Sequence, residues 1–157
     1  MVNESNILKR YKMRKIKGKI CKNENIHLYH ISEDNHDRKM FKPRIPASTL
    51  EEENRTIARI CFSTSMSGAF RAISFWDYSG WSYPYYVHVP ENINKLVINN
   101  KVIIPSEDLV PDQKITNEYW IRDKIKLKCI GLVRFKYDER KSYRNRGKVH
   151  IKWIEKY

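Results

Sequence analysis

Apolar and polar residues alternate along this chain in two rhythms, and the change between them locates most of its elements. The most regular stretch is 125–137, where Ile125, Leu127, Cys129, Gly131, Val133, Phe135 and Tyr137 are separated mostly by basic residues. That period of two predicts a long strand with one buried face. Val149, Ile151 and Trp153 repeat the alternation within 148–154, which predicts a returning strand and a C-terminal hairpin across the basic turn 138–147. Near the other end, Ile26, Leu28 and His30 fall on one face and His27, Tyr29 and Ile31 on the other. A strand over 26–31 follows, with His30 at its rim. Between 59 and 73 the rhythm switches. Ile60, Phe62 and Thr64 alternate with Cys61, Ser63 and Ser65, and then Ala69, Phe70, Ala72, Ile73 and Trp76 fall three to four positions apart. A strand therefore feeds a helix through a corner of small residues, with Ser67 as the expected N-cap.

The remaining signals are shorter. Ser79-Gly80 and Pro84 mark a turn before a strand over 85–89, and Asn99-Asn100 between two apolar triplets (96–98 and 102–104) predicts a hairpin. Residues 32–54, with Pro43 and Pro46, and 105–117 read as polar loops, the first closing on a helical turn near 48–54. About six strands around one strong helix predict an α+β class with a mainly antiparallel sheet.

Composition narrows the picture further. A length of 157 residues, 41% hydrophobic and 12% aromatic, fits one globular domain over 1–157 with a basic segment over 1–25. No apolar run is long enough to span a bilayer, and the N-terminus has no secretory pattern, so a cytoplasmic protein with no membrane partner is expected. Cys21, Cys61 and Cys129 form no CxxC pair, and the histidines show no metal-ligand spacing, so neither a disulfide framework nor a metal is expected. The formal charge of +13 is concentrated in places. Residues 9–22 carry eight Lys and Arg without an acid, and a second group lies around Arg140, Lys141, Arg144, Arg146 and Lys148. Such patches suit a polyanionic partner, although a chain rich in Lys, Asn and Ile carries some of this excess as composition alone.

Three pieces stand apart from ordinary packing: Leu28-Tyr29-His30-Ile31-Ser32, the corner from Phe62 to Phe70, and Thr116-Asn117-Glu118-Tyr119-Trp120. Their order and spacing resemble the ADP-ribosyltransferase fold, in its His-Tyr-Glu branch, which includes rifampin-modifying and nucleic-acid-modifying enzymes, some of them toxins. The resemblance spans roughly 26–135 and implies a split β-sheet, with NAD as a substrate and no metal. It implies that His30 grips a ribose hydroxyl, that the backbone at Ile31 and Ser32 holds the nicotinamide amide, and that Phe62, Ser63, Ser67 and Phe70 line the nicotinamide site. The place of the family's Tyr falls on Cys61, with Phe62 beside it, and Tyr85 or Tyr86 is a candidate substitute. Arg44 is the candidate partner of the pyrophosphate.

Glu118 is the candidate catalytic carboxylate, with His30 beside it. Cleaving the nicotinamide–ribose bond builds positive charge on the ribose, and a carboxylate held there gains interaction energy as that charge develops. The expected activity is mono-ADP-ribosyl transfer to a protein or nucleic-acid acceptor. An NAD glycohydrolase and a non-catalytic nucleic-acid binder are the alternatives. No glycine-rich phosphate loop, GxSxG elbow or HExxH motif competes.

Overall fold

The computed structural model describes residues 18–46, 54–73, 80–138 and 147–157. In chain order the elements are β1 (Gly18–Ile20), β2 (His30–Ser32), β3 (Met40–Phe41), β4 (Ile60–Ser63), α1 (Met66–Ile73), β5 (Tyr85–Pro90), α2 (Ile93–Ile98), β6 (Val102–Pro105), α3 (Gln113–Thr116), β7 (Glu118–Ile121), β8 (Ile125–Tyr137) and β9 (Val149–Lys156). The class is α+β, and among the described residues every ladder is antiparallel. One sheet runs β1-β6-β7-β4, the other β2-β5-β8-β3 with β9 on the outer side of β8. Among the described residues the two meet at two isolated bridges: Tyr29 N–H donates to Ser63 O at 2.8 Å and Ser63 N–H to Tyr29 O at 2.9 Å, while Arg44, just past β3, pairs in the same way with Arg59, just before β4, at 3.1 and 2.9 Å. Beyond the Tyr29–Ser63 bridge β2 turns to β5 and β4 to β7.

Among the described residues the two larger cores lie on opposite faces of this seam, and a smaller third cluster gathers Ile103, Leu109, Val110 and Trp120. The first gathers Leu28, Ile60, Phe62, Val97, Ile121, Ile125 and Leu127. The second holds Ile31, Ala69, Phe70, Tyr85, Val87, Val133, Phe135 and Tyr137. Odd positions of β8 serve both, which a regular strand on one sheet face could not do. The β5–β8 register shows how. Val87 pairs with Gly131 but His88 with Cys129, so Ile130 is an extra residue. Directly paired residues share a sheet face and neighbours along a strand do not. The bulge therefore moves Val133 and Phe135 to the face opposite Leu127 and Ile125. Gly131 takes φ 150°, and a Cβ there would overlap the Glu155 carbonyl and the Trp153 ring. Only glycine fits.

Several expectations are met and several corrected. The long strand over 125–137, its return strand and the strand-to-helix switch at 60–73 are present. The N-cap is Ser65 rather than Ser67, because Ser65 Oγ accepts the Gly68 N–H at 3.0 Å while α1 begins at Met66. The expected hairpin at Asn99-Asn100 is instead the end of a helix. Ile93, Leu96 and Val97, at helical spacing, pack on the first core. The Asn99 and Asn100 N–H groups then cap Lys95 O and Val97 O, with Asn100 at φ 56°. Within the strand expected over 26–31, the ladder begins only at His30. The two presumed loops contain β3 and α3. The helical turn near 48–54 and the basic turn of the C-terminal hairpin fall largely outside the described residues, as does most of the 1–25 segment. Among the described residues, no helix is long and apolar enough to cross a membrane.

The bulge gives the first test. Gly131→Ala should destabilise the protein by about 2 kcal/mol through strain and overlap, seen as a lower midpoint in urea unfolding with an unchanged slope. An unshifted midpoint would mean that β8 does not turn at this residue.

Candidate active site

The three sequence motifs meet where the sheets part. β4 carries Cys61 and Ser63, and β7 sets Trp120 opposite Cys61 and Glu118 opposite Ser63. Those four side chains therefore share one face. Glu118 reaches this position through a tight turn: α3 ends on Asn117 in the left-handed region, at φ 51°. Asn117 O accepts the Thr64 N–H at 3.3 Å, and Thr116 O accepts the Ser63 hydroxyl at 2.6 Å. Gly68 lets α1 close over the same point, since a Cβ there would overlap Thr116 O and Ser63 Oγ. A small hollow of about 100 Å³ remains, lined by Tyr29, His30, Ile31, Cys61, Phe62, Ser63, Ala69, Thr116 and Glu118 among others.

His30 occupies the gap itself. Its Nδ1 lies 3.1 Å from Cys61 O. A carbonyl only accepts, so Nδ1 carries the proton and Nε2 is left as an acceptor. Burial, outweighing the bond to Cys61 O, holds the His30 pKa below its ordinary value. The ring is neutral at physiological pH. A second hollow of about 320 Å³ shares His30 and Cys61 with the first and adds Phe41, Lys42, Arg44, Pro46, Arg59 and Ile60. The charge on the two sides differs. The larger hollow is basic, while Glu118 supplies a carboxylate to the smaller.

Glu118 is 7% exposed and accepts the Trp120 indole N–H at 2.6 Å. Arg59 stacks over the other side of this system, its guanidinium 4.3 Å from the Trp120 ring centroid. The Cys61 thiol lies within hydrogen-bonding reach of Glu118, and burial first, then the negative charge of Glu118, raise its pKa well above the ordinary value. Cys61 therefore stays a thiol and donates to the carboxylate; it is no nucleophile. The carboxylate is fixed by donors on two sides and faces the hollow.

Behind His30 stand two more histidines, with ring centroids 6.2 Å apart for His30 and His88 and 5.5 Å for His36 and His88. Among the described residues, no three His, Cys, Asp or Glu side chains come together as a metal site. His88 is fully buried and its Nε2 accepts the His36 backbone N–H at 2.9 Å. Protonation there would set two donors against each other. Burial and the two neighbouring histidines lower the His88 pKa to about 4.

Of the residues expected to act together, His30, Ile31, Phe62, Ser63 and Glu118 line one hollow, and Arg44 lies in the adjoining one. Others are elsewhere. Phe70 is fully buried, stacked on Phe135 at 4.5 Å between centroids, so it is a core residue with no face for a ligand. Tyr85 packs in the same core. Ser67 does not line either hollow, and its hydroxyl bonds Ser65 Oγ at 3.3 Å. The Ser32 hydroxyl lies 3.0 Å from His36 Nε2, where it steadies the loop after β2. Tyr29 and Trp120 lie within the motifs that stand out in the sequence but carry no expected role there, and Arg59 has none either. Their signal is the alternation itself, which places Tyr29 across from Ser63 and Trp120 two residues beyond Glu118. No protein-family model, curated protein or solved structure matches the chain.

The histidine cluster sets a pH dependence. His88 has a folded pKa below its unfolded value near 6.5, so the unfolded chain takes up a proton that the folded chain refuses. Stability is therefore full above pH 6.5 and falls as pH drops toward about 4. The loss should approach about 1.4 kcal/mol per pH unit for this one group. His88→Gln keeps an acceptor for the His36 N–H and cannot titrate. Denaturant titrations between pH 4.5 and 7 should show a shallower slope for this variant, with the depressed His30 and His36 supplying what remains; an identical slope would remove His88 from the account.

Proposed function

We propose that this chain is an NAD-dependent mono-ADP-ribosyltransferase of the His-Tyr-Glu type. The observation that carries the reading is the meeting of His30 and Glu118, from strands far apart in sequence, around one hollow at the parting of two sheets. His30 Nε2 accepts a hydroxyl of the nicotinamide ribose. Glu118, oriented by Trp120 and Cys61, faces the anomeric carbon. The basic hollow with Arg44 takes the pyrophosphate. Tyr29 replaces Phe70 and Tyr85 as the aromatic residue beside the nicotinamide.

In the reaction, the bond between the nicotinamide nitrogen and the ribose breaks, and its electron pair leaves with nicotinamide. The oxocarbenium-like ribose is stabilised by the fixed Glu118 charge. An acceptor nucleophile then bonds to the ribose and loses its proton. With water as acceptor the same site is a glycohydrolase. Release of nicotinamide from NAD, measured with and without a macromolecular acceptor, separates the two.

Glu118→Gln keeps an acceptor for the Trp120 indole while removing the charge. Turnover should drop by two to three orders of magnitude, about 2.7–4 kcal/mol, with NAD affinity little changed. Undiminished nicotinamide release by this variant, or failure of the unmodified protein to bind NAD, would overturn the assignment.

A further inference from the structure

The C-terminal hairpin sets cations against one another on its outer face. The β8–β9 register pairs Arg134 with Lys152 and Lys136 with His150, and the Asp138 N–H bonds Lys148 O at 3.0 Å, which brings Lys148 to the same end. Arg134, Lys148 and Lys152 are exposed and Lys136 is half-exposed. Like charges directly opposite on a strand pair cost stability. The acids of this face are engaged: Asp138 pairs with His150, and Glu155 accepts the Tyr157 hydroxyl at 2.8 Å. Among the described residues, none of Arg134, Lys136, Lys148 and Lys152 has an acidic partner.

Aromatic rings border these cations. Tyr86 pairs with Leu132 and so lies on the face of Arg134. Trp81 and Tyr83, 43% and 73% exposed, flank Ser82. Ser82 is pinned to Phe135, its N–H donating to Phe135 O at 2.7 Å and its hydroxyl accepting the Phe135 N–H at 2.9 Å, which ties the backbone between Trp81 and Tyr83 to the Arg134–Lys136 stretch of β8. Alternate residues recur about every 6.7 Å along a strand and adjacent strands lie about 4.8 Å apart, so the cations form a compact patch in two columns, Arg134 and Lys136 on β8 and Lys148 and Lys152 on or beside β9. A linear polyanion relieves their repulsion. Aromatic rings beside such a patch suit unpaired bases, which stack on aromatic residues irrespective of sequence.

We propose that this face binds single-stranded nucleic acid, with its phosphates on the patch of Arg134, Lys136, Lys148 and Lys152 and its bases against Tyr83 and Tyr86. The surface is independent of the NAD reading and is tested without NAD.

The probe is a fluorescent oligothymidylate of about 20 nucleotides, a length that spans one such face, followed by anisotropy at several salt concentrations. Affinity should fall steeply with salt, and R134Q/K152Q should weaken binding at least about tenfold while reducing the slope of log K against log salt by roughly 1.4, about 0.7 per lost phosphate contact. R134K/K152R, which keeps the charges, should retain binding and so separates charge from folding. Tyr83→Ala should lower affinity without changing the slope. K19Q/K95Q removes the same charge from β1 and α2 and should stay within about twofold of the parent. Equal losses in the two Gln pairs would reduce the effect to net charge and overturn the proposal. So would absent or salt-insensitive binding, or Arg134- and Lys152-dependent binding of phosphatidylserine vesicles or polyglutamate but not of the oligonucleotide.

Discussion

Only isolated backbone bridges, Tyr29–Ser63 and Arg44–Arg59, join the two sheets among the described residues, and the opening between β2 and β4 follows from their being so few. A longer ladder there would make one continuous sheet and leave no gap. With only the Tyr29–Ser63 bridge between them, β2 and β4 diverge at once, and the next residue on each side, His30 and Phe62, must fill or border the space that opens. His30 does so as a neutral ring whose one proton is spent on Cys61 O. Its other nitrogen remains available. The site is thus a product of sheet geometry, and its polar groups are the ends of strands.

The pattern of positions in the chain made some of this readable and hid the rest. The hairpin of β8 and β9 announces itself because alternation sustained over thirteen residues has no other explanation. His30 and Glu118 were legible for a related reason, since polar residues at the rims of apolar strands have no part in a core. Phe70 and Tyr85 look the same in sequence whether they face a ligand or a core, and here the second core claims both. Ser67 lost the cap to Ser65 because a run of serines offers several equivalent caps, and tertiary contact at Gly68 chooses among them. The segment at 93–98 carries both a strand-like apolar triplet and helical spacing to Ile93; the first core decides for the helix. The short β1 and β3 carry no periodic signal at all and exist through their partners.

Charge is organised by the same geometry. On the site face, Arg59, Trp120, Cys61 and Glu118 are linked in series, the guanidinium over the indole and the indole and thiol toward the carboxylate. On the outer face of the hairpin, cations repeat without such answers. A buried carboxylate that lacked its donors would be costly, whereas exposed cations in water cost little until they are crowded. The two surfaces therefore express one rule at different dielectric.

The bulged strand β8 also bears on how the molecule opens. Because the same thirteen residues contribute Leu127 to one core and Phe135 to the other, neither core can lose its packing without loosening the strand that the other depends on. Partial unfolding confined to one half is thereby suppressed. Backbone amides along β8 should therefore exchange with solvent through a joint opening of both halves, which would put the slowest-exchanging protons on this shared strand.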